Sequence, residues 1–355
     1  MNIDNLTDIY TDYLIIFTGQ TSATGLSNMM DNAITHDKIT RLLSSGCLNS
    51  KWLWQYVKPI CHEISSNKGV LVLDDSIEEK LYTDENELIT WHYDHCMKRF
   101  VKGVNFLTAI YHSNDMSLPV GVEFIKKTKA YVNKKGKLIY KSEKTKNEIY
   151  RDLIFQASKN IYFKYVLNDS WFSSAQNMSY IVKTCQSDFI MAIKDNRKVA
   201  LSEQDKKEGK YVNIKSLRLE ECTMSVYFEK LDFPVLVTKQ VFKNEDGSTG
   251  TLYLACSDLN LTYDQITTIY KKRWKVEEYH KSIKSNTSFA KSPTKTPITQ
   301  ESHFVASIIA FVKLERLNVR WNMNQFALKN KLYIAAIKSA YKELQRLSTS
   351  IYEFK

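Results

Sequence analysis

Three acidic positions stand where carboxylates could share work. The stretch "VLVLDDS" ends an apolar run on Asp74 and Asp75, "YVLNDSWF" ends another on Asp169, and "IYKKRWKVEEYHKSIK" holds Glu277 among Tyr270, Arg273 and Lys284. Taken singly, each has a bland role. An Asp after a strand is ordinarily a turn or capping residue, and Glu277 can pair with Lys281 for about 0.3 kcal/mol. Taken together, two strand-end acids and one helical acid can converge on a divalent cation, and oxygen ligands select Mg²⁺ or Mn²⁺. Two such ions about 4 Å apart activate a water or a 3′-hydroxyl and stabilise the leaving oxygen of an in-line phosphoryl transfer. That chemistry acts on a nucleic-acid backbone.

The elements that must position these residues follow from pattern. Thr267 to Asn286 contains no proline or glycine. Read as one helix, it sets Tyr270, Arg273, Glu277 and Lys284 in an arc of roughly 60°, beside a separate stripe of Ile269, Val276 and Ile283. The apolar stripe docks on a sheet, and the polar stripe then runs along the sheet edge, where Glu277 can meet the strand-end acids. Trp274 reads as packing. Asp74 directly continues "VLVL", so the sheet fixes its backbone, whereas Asp75 enters a turn with Ser76; successive strand side chains point to opposite faces, so the two do not share one site. Asp74 is the expected ligand and Asp75 the alternative.

The chain reads as four regions. Residues 1–68 are helical, with "ITHDKITRLLSSG" offering Thr35 as N-cap, Asp37 in the first turn and Gly46 as a stop. Residues 69–194 are strand-rich and then alternate: "GVLVLD" is a buried strand, "VNFLTAIYH" and "LPVGVEFIKK" a hairpin, Asn147 to Asn160 a helix, "YFKYVLND" a strand, "SAQNMSYIVKTC" a helix and "DFIMAIK" a strand. Residues 195–262 hold short β-type runs without a helix between them, "YVNIKSL", "CTMSVYFEK", "FPVLVTKQVF" and "GTLYLACSD", which suggest an antiparallel β subdomain. Residues 263–355 carry the helix with Glu277 and further helix over Phe304 to Lys342. The fold class expected is mixed α/β.

Composition narrows the partners. The 355 residues carry a formal charge of +11, with a pI of about 9.1. Residues 1–68 have five Lys/Arg against six Asp/Glu, while Lys126 to Arg151 has ten against two. That second stretch invites a polyanion, with Lys134, Lys135 and Lys137 as candidate backbone contacts; a solvated lysine-rich loop is its bland reading. In the first region any DNA recognition must rest on a few groups such as His36, Lys38 and Arg41. The six cysteines form no C-x-x-C pair and read as buried thiols. His92, His95 and Cys96 are not followed by a second ligand pair, so no structural metal is read there. The longest apolar run, Phe304 to Val312, is too short to span a bilayer, and "MNIDNLTDIY" lacks the features of a signal peptide, so no membrane partner and a cytoplasmic location are expected.

The order "LVLDDS", "YVLNDSWFSS", "IYKKRWKVEEYHKSIK" resembles the bacterial insertion-sequence transposases with an Asp-Asp-Glu triad. It is similar in particular to the insertion-sequence-four superfamily, whose third acid lies in Y-x2-R-x3-E-x6-K; Tyr270, Arg273, Glu277 and Lys284 fit all four positions. The resemblance runs from about residue 20 to 320. It implies a ribonuclease-H-like catalytic core interrupted by an antiparallel β insertion, with helical N-terminal and C-terminal regions. It implies that Asp74, Asp169 and Glu277 hold Mg²⁺, with Mn²⁺ as substitute and two ions per site, while Arg273 and Lys284 grip phosphate and Tyr270 helps place them. The implied partners are double-stranded DNA with terminal inverted repeats, target DNA and a second copy in a homodimer, in a bacterial, nucleoid-associated setting. Some relatives stack a flipped base on a tryptophan of the β insertion. The six tryptophans here, at 52, 54, 91, 171, 274 and 321, lie outside it, which leaves Tyr211, Tyr227, Phe228, Phe233 or Tyr253 to stack. A structure-selective nuclease on the same core is the alternative activity. A non-catalytic DNA-binding repressor is the other alternative, disfavoured by three intact acids.

Overall fold

The run from Val70 to Leu73 is apolar at every position and all four side chains are fully buried, as in a strand covered on both faces. It opens β1 (Val70–Glu79). β2 (Thr90–Asp94), β3 (Arg99–Ser113) and β4 (Met116–Phe124) follow; β3 pairs antiparallel with β1 along one side and with β2 and β4 along the other. Asn114 and Asp115, at φ 46° and 61°, make the two-residue turn between β3 and β4, since both central positions of such a hairpin need positive φ. β5 (Lys129–Val132) and β6 (Leu138–Lys141) form a separate hairpin within the lysine-rich stretch. β7 (Tyr165–Asn168) runs parallel to β1, and β8 (Asp188–Ile193) runs parallel to β7. After a short pair, β9 (Lys198–Val199) and β10 (Val212–Asn213), the strands β11 (Met224–Val226), β12 (Val235–Lys243) and β13 (Thr249–Cys256) are antiparallel, and β13 pairs antiparallel with β8. The sheet order is β11-β12-β13-β8-β7-β1-β3-β2, with β4 also on β3. Three antiparallel strands joined to two parallel ones make the ribonuclease-H-like mixed α/β core. Apart from the separate pair of β9 and β10, the strands of the β insertion continue the core sheet, β13 covering the free edge of β8.

The computed structural model describes residues 2–95, 97–132, 136, 138–243 and 246–352, with side chains to Ser348. Lys134, Lys135, Lys137 and Cys96 lie outside the described residues. The chain divides into two compact units, residues 54–278 and residues 1–53 with 279–355.

The unit of residues 1–53 and 279–355 is helical. α1 (Ile3–Ile16), α2 (Ala23–Met29) and α3 (His36–Ser44) are followed by α4 (Ser50–Glu63), which continues into the other unit. Thr35 is the N-cap of α3, though its side chain makes no capping hydrogen bond. The expected run of helix from Phe304 is two helices, α10 (Pro297–Trp321) and α11 (Gln325–Tyr352), parted by Asn322 in the left-handed conformation. The apolar run of Phe304 to Val312 is buried in this unit. Among the described residues no helix is long and apolar enough to cross a membrane.

In the unit of residues 54–278, α5 (Lys146–Ser158) starts with a capping box of Thr145 and Glu148 and packs on β3 and β4. α6 (Ala175–Lys183) packs on β8. A short helix, α7 (Glu203–Lys207), and a 3-10 turn over Ile214–Ser216 interrupt a region expected to hold only strands. α8 (Tyr263–Lys271) packs on β8, and α9 (Trp274–Asn286) begins in this unit. A single helix over Thr267 to Asn286 is therefore corrected to two. The amides of Lys272, Arg273, Lys275 and Val276 bond three residues back, to Ile269, Tyr270, Lys272 and Arg273. A turn of this kind advances about 120° per residue instead of about 100°, which shifts the stripe expected on one face.

Candidate active site

The first two acids are brought together by strand register. β1 and β7 are parallel, with Val72 opposite Leu167; two residues further lie Asp74, midway along β1, and Asp169, just past the carboxyl end of β7, the end where open α/β sheets place their chemistry. The expected turn at Asp75 does not occur. β1 continues to Glu79, and Asp75 pairs with Lys146 Nζ at 2.5 Å and accepts from Asn105 Nδ2 at 3.4 Å. Asp75 is an ion-paired strand residue, engaged by α5 and β3.

Asp169 lies just past β7, and its geometry is set by its neighbours. Its Oδ1 accepts the Trp171 amide at 2.9 Å. Asn168, fully buried, accepts the Tyr150 hydroxyl at 2.7 Å and donates to the Asp169 carbonyl at 2.7 Å. Tyr270, at the end of α8, is buried and donates its hydroxyl to the Asn168 carbonyl at 3.2 Å. Its hydroxyl is thus engaged in fixing the end of β7.

Glu277 sits in the first turn of α9, where the positive end of the helix favours a carboxylate. Carboxylate oxygens of Asp74 and Glu277 lie within 4.8 Å of one another. Arg273 stands between them, its Nη1 at 3.3 Å from Glu277 Oε1 and 3.7 Å from Asp74 Oδ2. So Glu277 pairs four residues back, and Lys275 pairs with Glu278 at 2.9 Å.

Crowding of negative charge is the electrostatic signature of the site. Burial pushes the Asp74 carboxyl well above the usual range, and Asp169, Asp75 and Glu277 push it further, against Arg273. Burial also raises the Asp169 carboxyl, opposed by the Trp171 amide and by Arg273. Tyr270 is raised by burial as well. With Glu277 beside Asp74, these two raised carboxyls make a donor set a hard divalent cation fits, because its charge can replace the proton Asp74 and Asp169 would otherwise retain.

Of the residues named from sequence, Asp74, Asp169, Glu277, Arg273 and Tyr270 come together here. Lys284 lies further along α9, in the other unit, where its charge and burial push the His280 imidazole down to about 3, burial being the larger cause. His92 turns inward, its Nε2 at 2.8 Å from Thr90 Oγ1.

Sequence pattern missed two aromatic residues. A cleft of about 550 Å³ opens beside Asp169, Tyr270 and Arg273, and Phe242 and Trp274 line it. Trp274 is 60% exposed, so its reading as packing is corrected. Trp274 lies within the tight turn between α8 and α9, which a continuous helical pattern does not show. Of the aromatic residues expected to stack, Phe228 and Tyr253 are buried; Phe242, from β12, is the aromatic residue that the insertion adds to the cleft, beside Gln240 and Leu252.

Residues 5–211 match a family model described as DDE superfamily endonuclease, and residues 137–312 match one described as transposase DDE domain. The comparison with curated proteins finds no match. Among solved structures, the crystal structure of the endonuclease V from Bacillus subtilis is similar over 77% of this chain and 94% of that one, at 10% identity and a TM-score of 0.26.

Proposed function

Since the chain belongs to the DDE superfamily endonucleases and is a transposase or a related endonuclease, we propose that it cuts DNA at the ends of an insertion sequence and joins the freed 3′-hydroxyl to target DNA. What supports this most is the crowding of Asp74, Asp169 and Glu277, from β1, the end of β7 and α9, around one arginine. Two Mg²⁺ ions, or Mn²⁺, held by these three carboxylates would supply the Lewis acidity that activates the attacking oxygen and steadies the leaving one. The protein's own groups do the positioning. Arg273 has a planar fork with more donors than its two carboxylate contacts use, and phosphate is the partner that fork fits. Tyr270 keeps the end of β7, and with it Asp169, in register. Trp274 and Phe242 offer the cleft two faces against which an unpaired base can stack. Lys284 is proposed as a further phosphate contact, and Lys134, Lys135 and Lys137 as sequence-independent contacts to duplex. The DNA partners are element ends with inverted repeats and a target duplex, bound by a homodimer. The match to the insertion-sequence-four signature favours this transposase over a nuclease that only cuts.

The test is nicking and strand transfer by the purified protein on DNA carrying the element ends. Wild type should cleave in Mg²⁺ or Mn²⁺ and yield joined products. Asp169→Asn and Glu277→Gln should each lower cleavage by at least about a thousandfold while retaining binding, each replacing a charge with little change of volume. Cleavage near the wild-type rate in either variant would overturn the triad, and cleavage without any joined product would leave the nuclease.

A further inference from the structure

Two residues past Asp169 the chain leaves an indole in water on a mount that cannot yield. Trp171 is 42% exposed, yet each residue around it is fixed. Its amide donates to Asp169 Oδ1, Ser173 Oγ donates to the Ser170 carbonyl at 2.8 Å, Asn177 Nδ2 donates to the Phe172 carbonyl at 2.9 Å, and Arg197 Nη2 donates to the Ser173 carbonyl at 2.5 Å. Phe172 is fully buried, stacks on Tyr150 at 4.7 Å with 12° between rings, and meets Trp171 edge to face at 4.7 Å. Apolar surface left in water forgoes the stabilisation that burial would give it. A rigid, exposed aromatic face beside a reacting centre is what base stacking requires, because no entropy is then lost in ordering it.

A cation accompanies the ring. Lys146, the first residue of α5, holds its Nζ 5.4 Å from the Trp171 ring centroid and pairs with Asp75. Lys146 and Asp75 keep 25% and 21% of their side-chain surface exposed, and an ammonium has three donors. Lys146 therefore ties together the strand of the first acid and the ring beside the second. Trp171 itself does not line the cleft of Phe242 and Trp274, although Asp169 and Ser170 before it do.

We propose that Trp171 and Lys146 form a nucleotide subsite beside the second acid, in which an unpaired base stacks on the indole and Lys146 meets its phosphate. The inference rests on the proposed reading of this chain as a DNA-cutting enzyme, and names the form of DNA that its site takes. A base in a duplex is covered on both faces, so the subsite selects a nucleotide already out of its helix, at a nick, an overhang or a frayed end. Stacking reads no sequence, so any base is accepted.

The test is equilibrium binding without divalent metal, so that no DNA is cut. The probes are a blunt duplex and the same duplex with a short single-stranded overhang bearing 2-aminopurine, whose fluorescence falls on stacking. Wild type should bind the overhang more tightly and quench it. Trp171→Ala should lose about tenfold in overhang affinity, with the quench, and keep its blunt-duplex affinity. Trp171→Phe should keep most of both, which also covers the case in which the alanine variant misfolds. Lys146→Gln should lower the slope of log affinity against log salt by roughly 0.9 on the overhang. Equal losses on both DNAs, or no loss with Trp171→Ala, would overturn the subsite. Failure of the parent reading looks different: wild type that never cuts DNA in metal but still quenches the overhang would retain the subsite and remove the enzyme.

Discussion

Arg273 carries the balance of charge at the residue scale. It lies 3.7 Å from Asp74 and 3.3 Å from Glu277, and it does not fully offset the crowding, since the Asp74 carboxyl stays well above its ordinary range. A carboxyl raised on folding stabilises the fold below its unfolded pKa and loses that contribution as pH rises through its folded one. Metal-free Asp74→Asn should therefore melt higher than wild type at neutral pH, by about 2 °C, and the gap should close as pH falls toward 4. Calorimetry in chelator from pH 4 to 8 measures it; a lower melting temperature at neutral pH would count against the crowding. Mg²⁺ should raise the melting temperature of wild type more than that of the variant. Asp75 is ion-paired with Lys146. Asp75→Asn should cost about 1 kcal/mol in denaturant titrations and retain strand cleavage, while Asp74→Asn should abolish cleavage; the reverse pattern would make Asp75 the first ligand.

At the scale of elements, the long pairing of β1 with β3 is what holds Asp74 in place, and Gly103 is its tightest point. It stands opposite Glu79 on β1 and Thr90 on β2, and a Cβ there would lie 2.1 Å from the Glu78 carbonyl oxygen. The neighbour is backbone, so relief requires parting the strands. Gly103→Ala should cost roughly 3 kcal/mol in urea unfolding and lower metal-dependent cleavage with it; full stability would mean that the strands separate more easily than this register allows. The same elements show what pattern alone conveys. Buried strands such as "VLVL" and "YVL" were legible because both faces of each are apolar, and the helix expected from Asn147 is α5. The break between α8 and α9 was not legible. Nothing between Tyr270 and Trp274 is a helix breaker, and the tight turn emerges only where Tyr270 is drawn into the core beside Asn168. The exposure of Trp274 and the persistence of β1 through Asp75 were hidden for the same reason: tertiary contacts, not local propensity, decide them.

For the whole molecule, the net charge of +11 sets how it meets DNA before any residue is read. If Lys134, Lys135 and Lys137 touch phosphates, replacing all three with Ala should flatten the slope of log affinity against log salt by roughly 0.9 for each; an unchanged slope in filter binding from 50 to about 200 mM salt would make them a solvated surface. Order of synthesis matters at this scale too. The acids stand at 74, 169 and 277, and β13, which pairs with β8, comes after the second and before the third. A ribosome adding roughly 5 to 20 residues per second has made two acids and the inner strands several seconds before α9 can emerge. A chain that stops within the insertion, through early termination or proteolysis, carries Asp74 and Asp169 without Glu277 or Arg273. If the proposed triad is the catalytic one, such fragments lack the groups that break DNA, and the nascent protein would be harmless to the genome beside it until its last core helix is in place.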